Sequence, residues 1–280
     1  MSEGLRPSAI PPLPDDDLSG FFNLRDRDLR AGGLCITEGR LLVERAIASG
    51  CVVELIVAAE SAADEAVALC AGASARASGS GPERPVPLRV CGSAEIDRIA
   101  GFAFHRGMLA VVRRPLLRAA DSCAIVSPGA VLALPAITDP GNLGTLLRSA
   151  LAFGFHTVLI GGKTCDPFNR KAMRASMGAV FTLDLRTAGS ADLARYAASG
   201  MPVYAAELAP GALEAGSEPL GGGGFVLVMG NEFDGIPPDW REACTASVEI
   251  PVSGAVDSLN VSIAGSILMW ESARRLPAGR

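Results

Sequence analysis

Between residues 225 and 271 the sequence alternates apolar runs with polar, glycine-bearing loops in an order that few folds can accept. Phe225-Val226-Leu227-Val228-Met229 is a buried-strand pattern that stops at Gly230-Asn231-Glu232 and then at Asp234-Gly235-Ile236-Pro237. Ser247-Val248-Glu249-Ile250 is a second such approach, stopped at Pro251 and Gly254, and a long helical pattern follows from Ser258. Strand, loop, helix, strand, loop, helix belongs to a parallel sheet covered by helices. In such sheets ligands bind outside the carboxyl ends of the strands, where the loops collect. Two loops carrying Gly, Asn, Glu and Ser are therefore expected to form two walls of one pocket. The stretch 139–148 is the expected third wall.

The same alternation begins upstream, near residue 121. Strands are expected at 131–137, 157–160, 180–185 and 202–206, with helices at 143–151, 169–177 and 191–198. Asn142 is placed to cap the first of these helices and Gly154 to end it. Arg148 lies off the line of Leu143, Leu147 and Leu151, so it is expected to face outward into the pocket. The last helix, 258–276, is apolar on several faces through Leu259, Val261, Ile263, Ile267, Leu268 and Trp270. One sheet face rarely hides so much, and a partner subunit is expected to cover part of it.

The N-terminal part reads as a separate, smaller α/β unit. Residues 1–20, with Pro11, Pro12 and Pro14 followed by Asp15-Asp16-Asp17, are expected to form a flexible leader. In 21–114, apolar Leu34-Cys35-Ile36 precedes a helical pattern, and strands are expected near 52–57, 86–90 and 108–112 with short helices between them. Pro87 assigns the strand near 86–90 to a sheet edge. Residues 115–120 read as a linker, and the second domain fills 121–280.

Composition removes several function classes. A chain of 280 residues, 49% hydrophobic, can bury two ordinary cores. It contains no run of about 18 apolar residues that would span a membrane, and its N-terminus lacks the pattern of a signal peptide. The seven cysteines form no C-x-x-C pair or Cys/His cluster, so neither a disulfide scaffold nor a metal site is expected, and a cytoplasmic location fits. The net charge of -5 rules out a general basic field for nucleic acid. A local patch is still possible at Arg170, Lys171 and Arg174, and N-terminal arginines such as Arg40 are candidates to extend it. With few aromatic residues, such a surface would recognise a shaped RNA more than a row of stacked bases.

Other catalytic signatures fail on inspection. Gly161-Gly162-Lys163-Thr164 resembles the tail of a phosphate-binding loop, but the leading glycine would fall at Thr157, inside a strand. No G-x-G-x-x-G follows the first strand of either domain. His105 and His156 have no partners at ligand spacing, and no G-x-S-x-G elbow is present.

Three loops remain: Asp139-Pro140-Gly141-Asn142 through Arg148; Gly230-Asn231-Glu232 through Gly235; and Ile250-Pro251 through Ser258-Leu259-Asn260. In this order and spacing they resemble the three signature motifs of the SpoU/TrmH family of S-adenosylmethionine-dependent RNA ribose 2'-O-methyltransferases. The resemblance covers about 131–271, and the N-terminal unit resembles the RNA-binding domain that many members carry. It implies an α/β fold whose C-terminal segment is threaded into a trefoil knot, an exception to the usual rule. Carried over residue by residue, it implies catalytic roles for Arg148, Glu232, Asn260, Asn142 and Ser258. It assigns cofactor contacts to Gly230, Ile250 and Leu259, with Met229 and Pro251 beside them. RNA contact would fall to Arg170, Lys171, Arg174 and Arg40.

The implied chemistry is methyl transfer from S-adenosyl-L-methionine to a 2'-hydroxyl of tRNA or rRNA, by a homodimer, without metal, DNA or membrane. A guanidinium stays protonated at working pH. Arg148 would therefore orient and stabilise the nucleophile electrostatically rather than act as a simple base. The second motif departs from the usual pattern at Phe233-Asp234, where many members have a smaller residue after the glutamate. Two rival readings are a non-catalytic RNA-binding protein of the same fold, and a methyltransferase of this fold that acts on a base.

Overall fold

A computed structural model describes residues 26–77, 86–120, 129–216, 224–231, 233–253 and 258–274. The chain divides into two compact units, one of residues 1–115 with 168–170, the other of 116–167 with 171–280.

The first unit is built on a four-stranded sheet. It runs α1 (Asp26–Ala31), β1 (Leu34–Glu38), α2 (Arg40–Ala48), β2 (Val53–Ala59), α3 (Ala63–Ala77), β3 (Leu88–Cys91), α4 (Ser93–Ala100) and β4 (Met108–Arg113). The sheet order is β1-β4-β2-β3, with β4 antiparallel to both neighbours and β2 parallel to β3. β3 is at the edge, where Pro87 costs no ladder bond. Leu34, Ile36, Leu55, Val57, Leu109 and Val111 fill one core with Ile96 and Ile99 of α4. Glu38, at the end of β1, is almost fully buried and accepts a hydrogen bond from Arg106 at 2.6 Å. Removing a charge from water is tolerable only with such a partner.

The second unit is an eight-stranded sheet in which every pairing is parallel. Its elements are β5 (Arg118–Ala119), β6 (Val131–Leu134), α5 (Pro140–Ala152), β7 (Thr157–Ile160), α6 (Arg170–Ala175), β8 (Asp184–Thr187), α7 (Ser190–Ala198), β9 (Val203–Ala206), β10 (Leu213–Glu214), β11 (Val226–Met229), α8 (Pro238–Glu242), β12 (Ala246–Glu249) and α9 (Val261–Ala273). The order is β10-β12-β9-β11-β6-β7-β8-β5. β6 and β11 are buried at all four positions, as expected of central strands covered on both faces. From β6 the chain winds outward through β7 and β8, then returns to build β9, β11 and β12 on the other side. That reversal is where a parallel sheet opens a crevice.

Several sequence expectations are corrected here. α5 is capped by Asp139, whose Oδ1 accepts from the amides of Gly141 at 2.7 Å and Asn142 at 3.0 Å, while Pro140 fills the first helical position. Asn142 is therefore inside the helix and keeps its side chain for other work. The expected strand at 180–185 begins only at Asp184, because Ala179–Phe181 is a 3₁₀ turn that buries Val180 and Phe181. The expected linker at 115–120 contains β5, and β10 is a two-residue strand after β9 that the sequence pattern does not mark. Gly154 ends α5 in the left-handed region, φ +84°. The C-terminal segment, whose threading the resemblance implies, includes residues 254–257, which lie outside the described residues. Among the described residues no helix is long and apolar enough to cross a membrane.

Candidate functional site

A cavity of about 200 Å³ opens at the carboxyl ends of β9, β11 and β12. It is several times the roughly 30 Å³ that one water occupies, so it is sized for a ligand. β9 contributes Ala206 and the Glu207 and Leu208 that follow. β11 contributes Met229, then Gly230 and Asn231, and its loop returns through Gly235 and Ile236. β12 supplies Val248 and Glu249, followed by Ile250 and Val252. Ser258, Leu259 and the first turns of α9 close the far side. Of the residues expected to hold a cofactor, Gly230, Ile250, Leu259 and Met229 all line this space, and so does Ser258. Pro251 is exposed between Ile250 and Val252 and is not part of the lining.

The third wall is not the one expected. Residues 139–148 do not line the cavity; residues 206–208 do, and no motif in the sequence marked them. The first motif reaches the site through hydrogen bonds instead. Asn231 Nδ2 donates to the Ala136 carbonyl at 3.0 Å and to Thr138 Oγ1 at 3.2 Å, tying the β11 loop to the chain leading into α5. That loop is also closed on itself, with the Asn231 amide donating to the Gly235 carbonyl at 2.8 Å and the Gly235 amide to the Asn231 carbonyl at 3.0 Å. A Cβ on Gly230 would lie 2.5 Å from the Gly235 carbonyl carbon, so only glycine admits this closure. Glu232 lies outside the described residues.

Among the described residues the lining holds two ionisable side chains, Glu207 and Glu249, and no Lys or Arg. Glu207 Oε1 accepts from Arg241 Nε and, at 2.8 Å, from Ser247 Oγ, while Arg241 Nη2 donates to Ser247 Oγ at 3.0 Å. This clasp joins the ends of β9 and β12 to α8.

Asn142 and Asn260 are brought together, Asn260 Nδ2 donating to Asn142 Oδ1 at 3.1 Å. Asn260 also caps α9: its Oδ1 accepts from the Ser262 amide at 2.9 Å, the Ser262 hydroxyl at 2.7 Å and the Ile263 amide at 3.3 Å. One side chain thus ends the third motif and joins it to the first. Asn260→Ala is expected to cost about 1 kcal/mol from the lost cap, with a lowered denaturant midpoint. Ligand affinity of the cavity should fall further than unfolding alone explains, because α5 and the pocket lose their link.

Arg148 is exposed on α5 and has no hydrogen-bond or ion-pair partner among the described residues. It stands six residues, about 9 Å, along the helix from Asn142. It is three residues from Thr145 and so shares its face. Thr145, Ser262, Ile263, Ser266, Ile267 and Trp270 form a shallow groove where α5 and α9 meet, joined by the Ser149–Ser266 hydroxyl contact of 2.7 Å. Ile263, Ile267 and Trp270 are 54%, 36% and 46% exposed, an apolar stripe along α9.

The expected basic patch is divided, because adjacent helix residues point about 100° apart. Arg170 belongs with the first unit: its side chain is only 12% exposed, on Asp26 at 2.9 Å and the Ala100 carbonyl at 2.7 Å. Lys171 is exposed and donates to Asp139 at 2.7 Å. That bond, with the Asn142 amide, holds the Asp139 carboxyl below the usual carboxylate range. Arg174 is half-buried. Arg40 is exposed on α2 of the first unit, paired with Glu44 at 2.8 Å and Glu65 at 3.3 Å. The described residues contain no cluster of His, Cys, Asp and Glu able to hold a metal ion.

The chain is similar to proteins already known. The chain is 35% identical over 141 residues to the 23S rRNA (guanosine(2553)-2'-O)-methyltransferase RlmP of Bacillus subtilis, covering 50% of this chain and 56% of that protein. It is 32% identical over 193 residues to an uncharacterized tRNA/rRNA methyltransferase of Mycolicibacterium vanbaalenii, covering 65% and 59%. It therefore spans less than two thirds of either relative. Among solved structures, the AdoMet-bound rRNA methyltransferase of Sinorhizobium meliloti superposes with a TM-score of 0.76 at 26% identity, over 91% of this chain and 92% of that one. The model of the SpoU rRNA Methylase family matches residues 129–270, which hold the whole cavity and both halves of the Asn142–Asn260 link. With that match over half its length, the chain belongs to the SpoU methylase family.

Proposed function

We propose that this protein transfers a methyl group from S-adenosyl-L-methionine to a ribose 2'-hydroxyl of structured RNA, with rRNA the better supported substrate class. The observation that carries the reading is the cavity at the ends of β9, β11 and β12, formed by the second and third motifs and tied to the first. Its lining suits this cofactor. Met229, Ile236, Val248, Ile250 and Leu259 offer an apolar slot, and Gly230 lets the ligand approach backbone. Glu249 favours a ligand bearing a sulfonium and an ammonium and disfavours polyphosphate nucleotides, while Glu207 is already paired with Arg241.

Held by the apolar slot and the Gly230 backbone, S-adenosyl-L-methionine would supply an electrophilic methyl group to the ribose oxygen and would leave as a neutral thioether. The chain's own residues position the reactants. The Asn231 and Asn260 links hold the loops so that the hydroxyl can align in line with the breaking bond. Arg148, exposed and without a described partner, orients the nucleotide and stabilises charge on the attacking oxygen, whose proton is lost to solvent. For RNA phosphates we propose Lys171 and Arg40, with Arg174 and the less accessible Arg170 as secondary contacts. The exposed ion pairs of Lys171 and Arg40 contribute little, so phosphate can replace them. The location that goes with this substrate is the cytoplasm.

A homodimer is part of the proposal. The α9 stripe lacks cover in one chain, and a second copy packed on the α5–α9 groove would bury it and enclose Arg148. Ile267→Glu with Trp270→Glu is expected to convert a dimer into a monomer in analytical ultracentrifugation and to abolish transfer. A monomeric wild-type protein would contradict this.

The reading as a whole is tested with tritiated S-adenosylmethionine and unmodified rRNA and tRNA transcripts. Label is expected in RNA with wild-type protein. Absence of cofactor binding in calorimetry would leave the non-catalytic RNA-binding alternative in its place.

A further inference from the structure

We propose that Phe233 is a specificity residue that stacks on a nucleobase at or next to the methylated nucleotide, an inference that rests on the RNA-methyltransferase reading. Phe233 is 91% exposed, and no other described aromatic residue is more than half exposed. Single exposed apolar residues are common on protein surfaces; this one differs in how and where it is held. Its amide donates to Asn231 Oδ1 at 2.8 Å, and the turn beneath it is closed by both Asn231–Gly235 backbone hydrogen bonds. Asn231 is itself anchored to Ala136 and Thr138, and Gly235 takes the left-handed φ of +67° that this tight closure needs. The ring is therefore presented to solvent on a pinned turn.

The position follows from the cavity. Asn231 and Gly235 both line it, and Phe233 is two residues from each, so its Cα is within about 7.6 Å of theirs. The target ribose must bring its oxygen to about 3–3.5 Å from the methyl carbon at this mouth. The base on that ribose, or its neighbour in the strand, then comes into reach of the turn. A lone ring on a polar turn is a poor anchor for a protein partner, which needs a surrounding apolar patch. One ring face is enough for a nucleobase, which stacks on aromatic side chains with little regard to sequence.

The test compares wild type with Phe233→Ala, Phe233→Leu and Phe233→Tyr, using unmodified rRNA and tRNA transcripts and tritiated cofactor. KM for RNA is expected to rise about tenfold in Phe233→Ala and in Phe233→Leu, to stay within about twofold in Phe233→Tyr, and cofactor Kd to stay unchanged in all three. In Phe233→Trp, added transcript should quench indole emission beyond any change in wild type. Leucine equal to tyrosine, or an unchanged KM in the alanine variant while wild type transfers label, would overturn the stack and leave the enzyme reading intact. Monomerisation by Phe233→Ala would also overturn it, making a second copy the ring's occupant. Transcript-dependent quenching without any methyl transfer by wild type would leave an RNA contact at Phe233 but overturn its placement beside a methylated nucleotide, together with the enzyme reading.

Discussion

Arg148→Ala is expected to lower kcat for methyl transfer by about 10²- to 10³-fold, the usual effect of deleting one donor aimed at developing negative charge. Cofactor affinity and stability should change little. The reasons are local: Arg148 is on the exposed face of α5, has no described partner whose loss would unsettle the helix, and does not line the cavity. The measurement is single-turnover transfer to a saturating transcript, beside calorimetry with cofactor alone. Arg148→Lys should recover only part of the rate, because an ammonium keeps the charge but not the planar fork. Equal losses of rate and cofactor affinity would mean that Arg148 belongs to the pocket and not to the nucleophile.

Gly230→Ala should produce the opposite signature. The new Cβ would meet the backbone of Gly235 and Ile236 at 2.5–2.6 Å, and backbone cannot rotate away as a side-chain tip can. The β11 loop must move, and with it the Asn231 and Gly235 parts of the lining. Overpacking of this kind costs about 1–3 kcal/mol. If most of that is borne by the loop, cofactor Kd rises about 5- to 150-fold while the thermal midpoint falls modestly. Calorimetric titration and a melting curve on the same sample check both halves. An unaltered Kd would show that the ligand does not use this face of the cavity.

The parallel sheet and the two C-terminal walls were legible because each is local. A β-branched run with a glycine break states both the strand and where it stops. The cap of α5 was equally visible in Asp139-Pro140, since proline at the first helical position places the cap one residue earlier; reading Asn142 as the cap overlooked that. The part played by residues 206–208 was not visible. They enter the cavity only because β9 pairs between β11 and β12, a long-range consequence of strand order that no local spacing records. The three-cation patch failed for a related reason: periodicity locates Arg170 and Lys171 on one helix but cannot show that Asp26, 144 residues earlier, takes the first of them. Val180 and Phe181 are apolar enough for a strand, yet the fold uses them in a 3₁₀ turn, and short apolar runs do not distinguish the two.

The most direct test of the central claim is where the methyl group lands. Transcripts labelled from tritiated cofactor would be digested to nucleosides, with a parallel sample hydrolysed in alkali. Cleavage by alkali needs a free 2'-hydroxyl, so ribose methylation predicts label in an alkali-resistant dinucleotide and in a 2'-O-methylnucleoside, accumulating about 10²- to 10³-fold more slowly with Arg148→Ala. Label recovered on a base in alkali-sensitive mononucleotides would contradict the account and make this chain a base methyltransferase of the same fold.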